Sequence, residues 1–281
     1  MKKILIGIGA LLLIGSLVTF GLTRTAHSDN GRELSPSAAQ SAVSTSVPVS
    51  AHDHPEATNE ETVYQTIQTL VTRWSGAFLQ GSGWIHVVTH HVRDKDERSL
   101  LPNGQTIPPN YISETWYHLN EQGQAIEVIA LMRSEDGGLV QISTFRDNVW
   151  RNLTVGEKWD GEPFVPQLDL GFSADAARAQ IGESRLIQRT VVLKGRTVWQ
   201  FALRDERSSS LQVRGYSQPA ISAERRAYLD PQSGALLLLE RVLVMADGRE
   251  RIIEQVEPIT IEYGVDPPAE VVAFLRQEVT K

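Results

Sequence analysis

The chain has 281 residues, no cysteine, and a formal net charge of −7 from 27 Lys and Arg against 34 Asp and Glu. These values exclude disulfides, thiol chemistry and cysteine-ligated zinc, and they leave no basic footprint for nucleic acid. A domain without disulfides is held by its hydrophobic core, and the roughly 225 residues that follow the N-terminal segments are enough to build one.

Lys2 and Lys3 precede an uncharged apolar run from Ile4 to Leu22, which Arg24 closes. A basic start followed by an apolar run is the pattern of a secretory signal. This run also reaches the ~17–25 residues that span hydrocarbon as a helix. A cleaved signal and an uncleaved anchor therefore both fit, and the weak site at Ala26-His27-Ser28 leans toward the anchor. Lys2 and Lys3 outweigh Arg24 and keep the N-terminus on the cytoplasmic side. The expected organisation is an export signal or membrane anchor over 1–24, a flexible Ser/Thr/Pro/Ala-rich tether over 25–59, and one β-rich domain over 60–281. The domain is expected in the cell envelope, anchored to the outer face of the membrane or released as a secreted or periplasmic protein. His52-Asp53-His54, at the end of the tether, lacks a third fixed ligand and is read as a polar spacer.

A helix is predicted from about Thr62 to Gln80, with Thr58 and Glu61 spaced as a capping box. Val63, Ile67, Leu70, Val71, Trp74 and Phe78 recur at helical spacing, and Gly81-Ser82-Gly83 ends the run. Strands are then predicted over Trp84–Val92, Ser113–Leu119, Ala125–Met132, Leu139–Phe145 and Val149–Leu153, joined by turns at Pro102-Asn103-Gly104, Glu121-Gln122-Gly123, Glu135–Gly138 and Asp147-Asn148. The prolines and glycines around Pro163 and Pro166 read as a loop, and Ser173 as the cap of a short helix over Ala174–Ile181. A second meander covers Leu186–Leu193, Thr197–Leu203, Arg225–Leu229, Ala235–Met245 and Arg251–Tyr263. Asp230-Pro231-Gln232-Ser233-Gly234 is a strong turn within it, and Leu236–Leu239 reads as buried on both faces. Pro267-Pro268 opens a C-terminal helix over Ala269–Glu278. The sum is an α+β domain of nine or ten antiparallel strands, curled because a sheet this wide seldom stays flat, with helices packed across its concave face.

The order of leader, amphipathic helix, meander, helical insertion and second meander resembles the lipoprotein-carrier superfamily of LolA, LolB and RseB. The stretch Tyr228-Leu229-Asp230-Pro231-Gln232-Ser233-Gly234-Ala235-Leu236 looks like that family's Asp-x-x-Thr/Ser-Gly-Leu hairpin, and Asp247-Gly248-Arg249 looks like the turn after it. The Arg-Pro hairpin usual in LolA is missing. The resemblance implies a half-barrel with a helical lid, an apolar cavity for acyl chains or a lipidated peptide, and no catalysis.

The sequence contains no nucleophile elbow, no His-Glu-x-x-His, no phosphate loop and no dinucleotide fingerprint. His86 and His90 share one face of a predicted strand, His91 takes the other, and His118 lies on the next strand. Without a carboxylate to complete a ligand set these read as strand histidines, so no metal and no cofactor is expected. Asp94, Asp96 and Glu97 alternate with Arg93, Lys95 and Arg98 as a solvated hairpin end. The sequence thus points to a non-enzymatic extracytoplasmic protein that binds a hydrophobic ligand, either lipid or an acylated peptide or lipoprotein. The alternative is an envelope-stress or structural interaction domain with a filled interior. Alternation nominates Trp84, Val88, Trp116, Ile129, Leu131, Ile142 and Trp150 as liners of a cavity closed by the Thr62–Gln80 helix and the Ser173–Ile181 segment.

Overall fold

The computed structural model describes residues 60–76, 78–94, 104, 106–166, 185–205 and 220–279. The expected leader, the tether with His52-Asp53-His54, and the helix expected at Ala174–Ile181 lie outside the described residues. Among the described residues no helix is long and apolar enough to cross a membrane.

Helix α1 is Glu60–Gly76. Val63, Tyr64, Ile67 and Leu70 are buried along one side of it, as their spacing requires. It ends short of Gln80, because the amides of Phe78 and Leu79 both turn back to the Ser75 carbonyl at 2.9 Å. The strands that follow are β1 (Gly83–Arg93), β2 (Asn110–Leu119), β3 (Ala125–Ser134), β4 (Leu139–Arg146), β5 (Val149–Asn152), β6 (Glu157–Asp160), β7 (Arg185–Leu193), β8 (Arg196–Asp205), β9 (Ala220–Leu229), β10 (Leu236–Met245) and β11 (Glu250–Tyr263). The expected C-terminal helix is a short turn of α-helix, α2 (Ala269–Val272), that tightens into a 3-10 turn over Ala273–Arg276.

Among the described residues, these eleven strands form one open antiparallel sheet in the order β6-β5-β4-β3-β2-β1-β11-β10-β9-β8-β7. Two meanders meet where β1 pairs with β11, so the first and last strands of the domain lie together at the centre. The count exceeds the nine or ten expected because Glu157–Asp160, read as loop, pairs with β5.

The curl follows from α1. Laid flat, eleven strands would measure about 48 Å across at the usual strand spacing, whereas a helix of 17 residues is about 25 Å long. Yet α1 reaches both halves of the sheet. Val63, Tyr64, Ile67 and Leu70 pack against Leu186, Phe201, Ala227, Leu229, Leu239 and Val256 on β7–β11. Trp74, with Phe78 and Leu79 just beyond the helix, packs against Ile85, Val128, Phe145 and Trp150 on β1–β5. The sheet therefore bends around the helix, and the face toward α1 is the inner one.

Two hairpin turns seat the helix. Gly234 in the β9–β10 turn has φ +77°, and a Cβ there would run into the Leu70 backbone. Gly123 in the β2–β3 turn has φ +72°, and its Cβ would lie 2.7 Å from the Leu79 carbonyl oxygen. Only glycine accepts both the left-handed backbone and that contact. Asp230 shapes the first turn by accepting from the Gln232 and Ser233 amides at 2.9 and 2.7 Å. Arg73 Nη1 then donates to the Gln232 carbonyl at 2.7 Å. The motif that suggested a family resemblance is thus the saddle on which α1 sits.

The outer face has its own cover. Val271, Phe274 and Leu275 of the C-terminal helical segment pack on Trp116, Ile129, Leu131 and Ile142. The helix expected across the concave face is α1, and the C-terminal one covers the opposite side. Leu236–Leu239 is buried on both faces, with Leu239 in the inner core and Leu238 in an outer cluster with Tyr228, Val191 and Val198.

Candidate functional site

The inner face carries an aromatic cluster at the β2–β6 end of the sheet. The two-residue turn at Asp147-Asn148, with both φ angles positive, fixes the register of β4 and β5. It sets Phe145 opposite Trp150, which in turn opposes Trp159 on β6. Side chains opposed across antiparallel strands share a face, so these three rings line up. Residues 161–166 then fold back across them. The Ala125 amide donates to the Phe164 carbonyl at 2.6 Å, placing the Phe164 ring 6.0 Å from Trp150 and 5.9 Å from Phe145. Gly161 allows this return, since a Cβ would stand 2.7 Å from the Trp150 ring.

Phe145 and Trp150 form the buried floor, while Trp74, Phe78, Tyr117, Trp159 and Phe164 are only partly buried around it. The rings meet edge-on or offset: Trp74 to Phe78 at 6.1 Å and Tyr117 to Phe164 at 6.4 Å, both near perpendicular. Such a surface presents apolar area with few polar groups, as sites for apolar molecules do.

Of the seven residues nominated from the sequence, Trp150 lies in this cluster. Trp84, Val88, Trp116, Ile129, Leu131 and Ile142 lie on the outer face. Three cross-strand sets place them there: Trp84–His118–Glu127, His86–Trp116–Ile129 and Val88–Glu114–Leu131–Ile142. The inner set is Ile85–Tyr117–Val128–Phe145–Trp150. A step of one residue in parity moves every side chain to the other face, and the parity that follows the tryptophans of β1 and β2 is the outer one. On that face His86 stacks on Trp116 at 3.7 Å and Trp84 on His118 at 4.6 Å. His86 lies between Glu114 and Glu262 at 3.2 and 3.4 Å, and His118 meets Glu127 at 2.8 Å. Carboxylates do accompany these histidines, yet among the described residues no group of three or more such side chains is placed to hold a metal. Trp116 Nε1 and Thr144 Oγ1 are buried here without a hydrogen-bond partner. Asp94 pairs with Arg251 at 2.6 Å; Asp96 and Glu97 lie outside the described residues.

Farther along β1 the inner face turns polar. His91 stacks on Tyr111 at 4.4 Å, and its Nε2 lies 2.9 Å from the Thr89 hydroxyl. Its Nδ1 stands 3.9 Å from Glu254, which also meets Arg241 at 3.3 Å and Arg93 at 3.9 Å. Burial lowers the pKa of His91 against the pull of Glu254, so the ring is neutral near pH 7. Burial also resists the charge on Glu254, but His91, Arg241 and Arg93 outweigh it and hold the carboxyl at about 2. Both shifts have one sign in stability. The unfolded chain takes up a proton at His91 near 6.5 and at Glu254 near 4.5, where the folded chain does not. Stability is therefore expected to fall as pH drops below 6.5, and to fall further from 4.5 toward about 2. Thermal midpoints across this range check it. Glu254→Gln should flatten the lower part of the curve, and an unchanged slope there would contradict the assignment.

No protein-family model and no curated protein matches the chain. Three solved structures are similar to it. MucB in complex with MucA(peri) has a TM-score of 0.34 and 15% identity over 72% of this chain and 57% of that one. The chain thus spans little more than half the length of MucB. An uncharacterized conserved protein of Thermus thermophilus has a TM-score of 0.36 and 12% identity over 75% and 93%. The Mycobacterium tuberculosis lipoprotein LppX has a TM-score of 0.29 and 11% identity over 74% and 99%.

Proposed function

We propose that the inner face, between α1 and the β2–β6 end of the sheet, binds the apolar part of a lipid or an acylated peptide, and that the protein carries or senses this ligand without chemical change. The supporting observation is the ring of partly buried aromatics, Trp74, Phe78, Tyr117, Trp159 and Phe164, over the floor of Phe145 and Trp150. Each methylene buried there contributes about 0.8 kcal/mol, so a long acyl chain binds usefully with no specific polar contact. Export by the N-terminal segment would set this face at the outer side of the membrane, within reach of lipids and lipidated proteins.

Titration with a fluorescent fatty-acid analogue is expected to saturate. Phe164→Asp puts a charge on a partly exposed ring position, so it should weaken binding about tenfold or more while the fold survives. No saturable binding by the wild type would leave the alternative, an interaction domain with a filled interior.

A further inference from the structure

Phe145 and Trp150 are 0% and 3% exposed, so the aromatic floor is closed over. Residues 161–166 rest on it at two points. At Gly161 an added Cβ would stand 2.7 Å from the Trp150 ring and 3.0 Å from the Phe145 ring. At Phe164 the ring lies 6.0 Å from that of Trp150 and 5.9 Å from that of Phe145. Carbon atoms in contact stand about 3.5–4.0 Å apart, so no methylene fits beneath Gly161. An acyl chain that reaches the floor has to displace something.

The elements around the floor differ in what holds them. The strands that carry it are fixed by continuous ladders from β1 to β5. α1 buries Val63, Tyr64, Ile67 and Leu70 against the second meander, and Arg73 ties it to the β9–β10 turn. Residues 161–166 are held by much less. Among the described residues their backbone bonds to the rest of the chain are two. The Gly161 amide donates to the Asn148 carbonyl at 2.8 Å, and the Phe164 carbonyl accepts from the Ala125 amide at 2.6 Å. Phe164 is only partly buried, and Val165 beside it is 51% exposed. The strand that delivers the segment, β6, is a four-residue edge strand with three charges. Stretches with so few buried contacts open at the least cost, and lids are drawn from them.

Resting on the function proposed above, we infer that residues 161–166 are the gate of the apolar site. The bridge between Ala125 and Phe164 opens, the segment lifts at Gly161, and the acyl chain comes to lie between the Phe164 ring and the floor of Phe145 and Trp150. The gate then rests on the chain instead of on the floor, so Phe164 exchanges one apolar neighbour for another. The β2–β3 hairpin bears on Leu79 at Gly123 and on Phe164 at Ala125, so the gate closes against the stretch that follows α1.

Two variants of the full chain test this. The chain has no cysteine of its own, and Gln124 opposes Val165 in the antiparallel register set by Ala125 and Phe164. Opposed Cα atoms in such a pair stand about 4.5–5.5 Å apart, within reach of a disulfide. Gln124→Cys combined with Val165→Cys should therefore oxidise readily. The oxidised form should take up a fluorescent fatty-acid analogue at least about tenfold more slowly than the reduced form, because the open state is withdrawn. The reduced form should match the wild type. Ala125→Pro removes the amide that closes the gate, at the first residue of β3 where proline is tolerated, and should speed uptake several-fold. The disulfide comparison stands alone if the proline variant fails to fold. Equal uptake by the oxidised and reduced forms, or a cysteine pair that does not oxidise, would overturn the gate while leaving acyl binding in place. No binding of the analogue by the wild type would overturn both.

Discussion

Replacing Gly234 by valine is expected to destabilise the protein by more than about 3 kcal/mol, among the largest effects of any single substitution. Two penalties combine there. A side chain at φ +77° is strained, and its Cβ would collide with the Leu70 backbone, forcing α1 off the β9–β10 turn. Gly248 separates the two. It has φ +80° and nothing within 4 Å of a Cβ, so Gly248→Val should show only the backbone penalty, about 1–2 kcal/mol. Denaturant midpoints of the two variants give the comparison. Equal losses would mean that α1 is not seated on that turn.

The second large effect is expected at Phe145. Its side chain is fully buried, and its ring lies 4.9 Å from that of Trp150, tilted by 35°. Phe145→Ala should cost about 3–5 kcal/mol, the usual range for deleting a buried aromatic. Trp74→Ala should cost clearly less, because Trp74 is only partly buried where α1 leaves one core for the other. A loss at Trp74 equal to that at Phe145 would show the helix end to be packed as tightly as the floor, closing the face where a ligand is proposed to enter.

Much of this architecture was legible in the residues. Strong alternation and turn chemistry placed the long strands to within a few residues, except that β9 begins at Ala220 and not at the expected Arg225, and helical spacing placed α1. β6 escaped because Glu157-Lys158-Trp159-Asp160 has three charges and one apolar residue, and its pairing with β5 is a tertiary event that local pattern does not encode. The site was harder for a definite reason. In β1 and β2 the tryptophans share a parity with His86, Glu114 and His118, and charged neighbours mark the outer face. Following ring size rather than the company it keeps selects Trp84 and Trp116 over Ile85, Val87 and Tyr117. Phe145 was within reach, since a two-residue turn at Asp147-Asn148 dictates that it opposes Trp150. Phe164 was not, because its position depends on a chain return held by one bridge to Ala125.

The most direct test of the inner-face reading uses the tryptophans themselves. Trp74, Trp150, Trp159 and Trp199 pack on the α1 side of the sheet, while Trp84 and Trp116 lie beneath the C-terminal helix on the other. A fatty acid brominated along its chain quenches indole emission only at contact distance. Titrated into a Trp84→Phe, Trp116→Phe double variant, it is expected to quench the remaining emission saturably and to the same midpoint as in the wild type. Saturable quenching in the wild type that vanishes in the double variant would place the ligand on the outer face and contradict the account, as would the absence of saturable quenching in both.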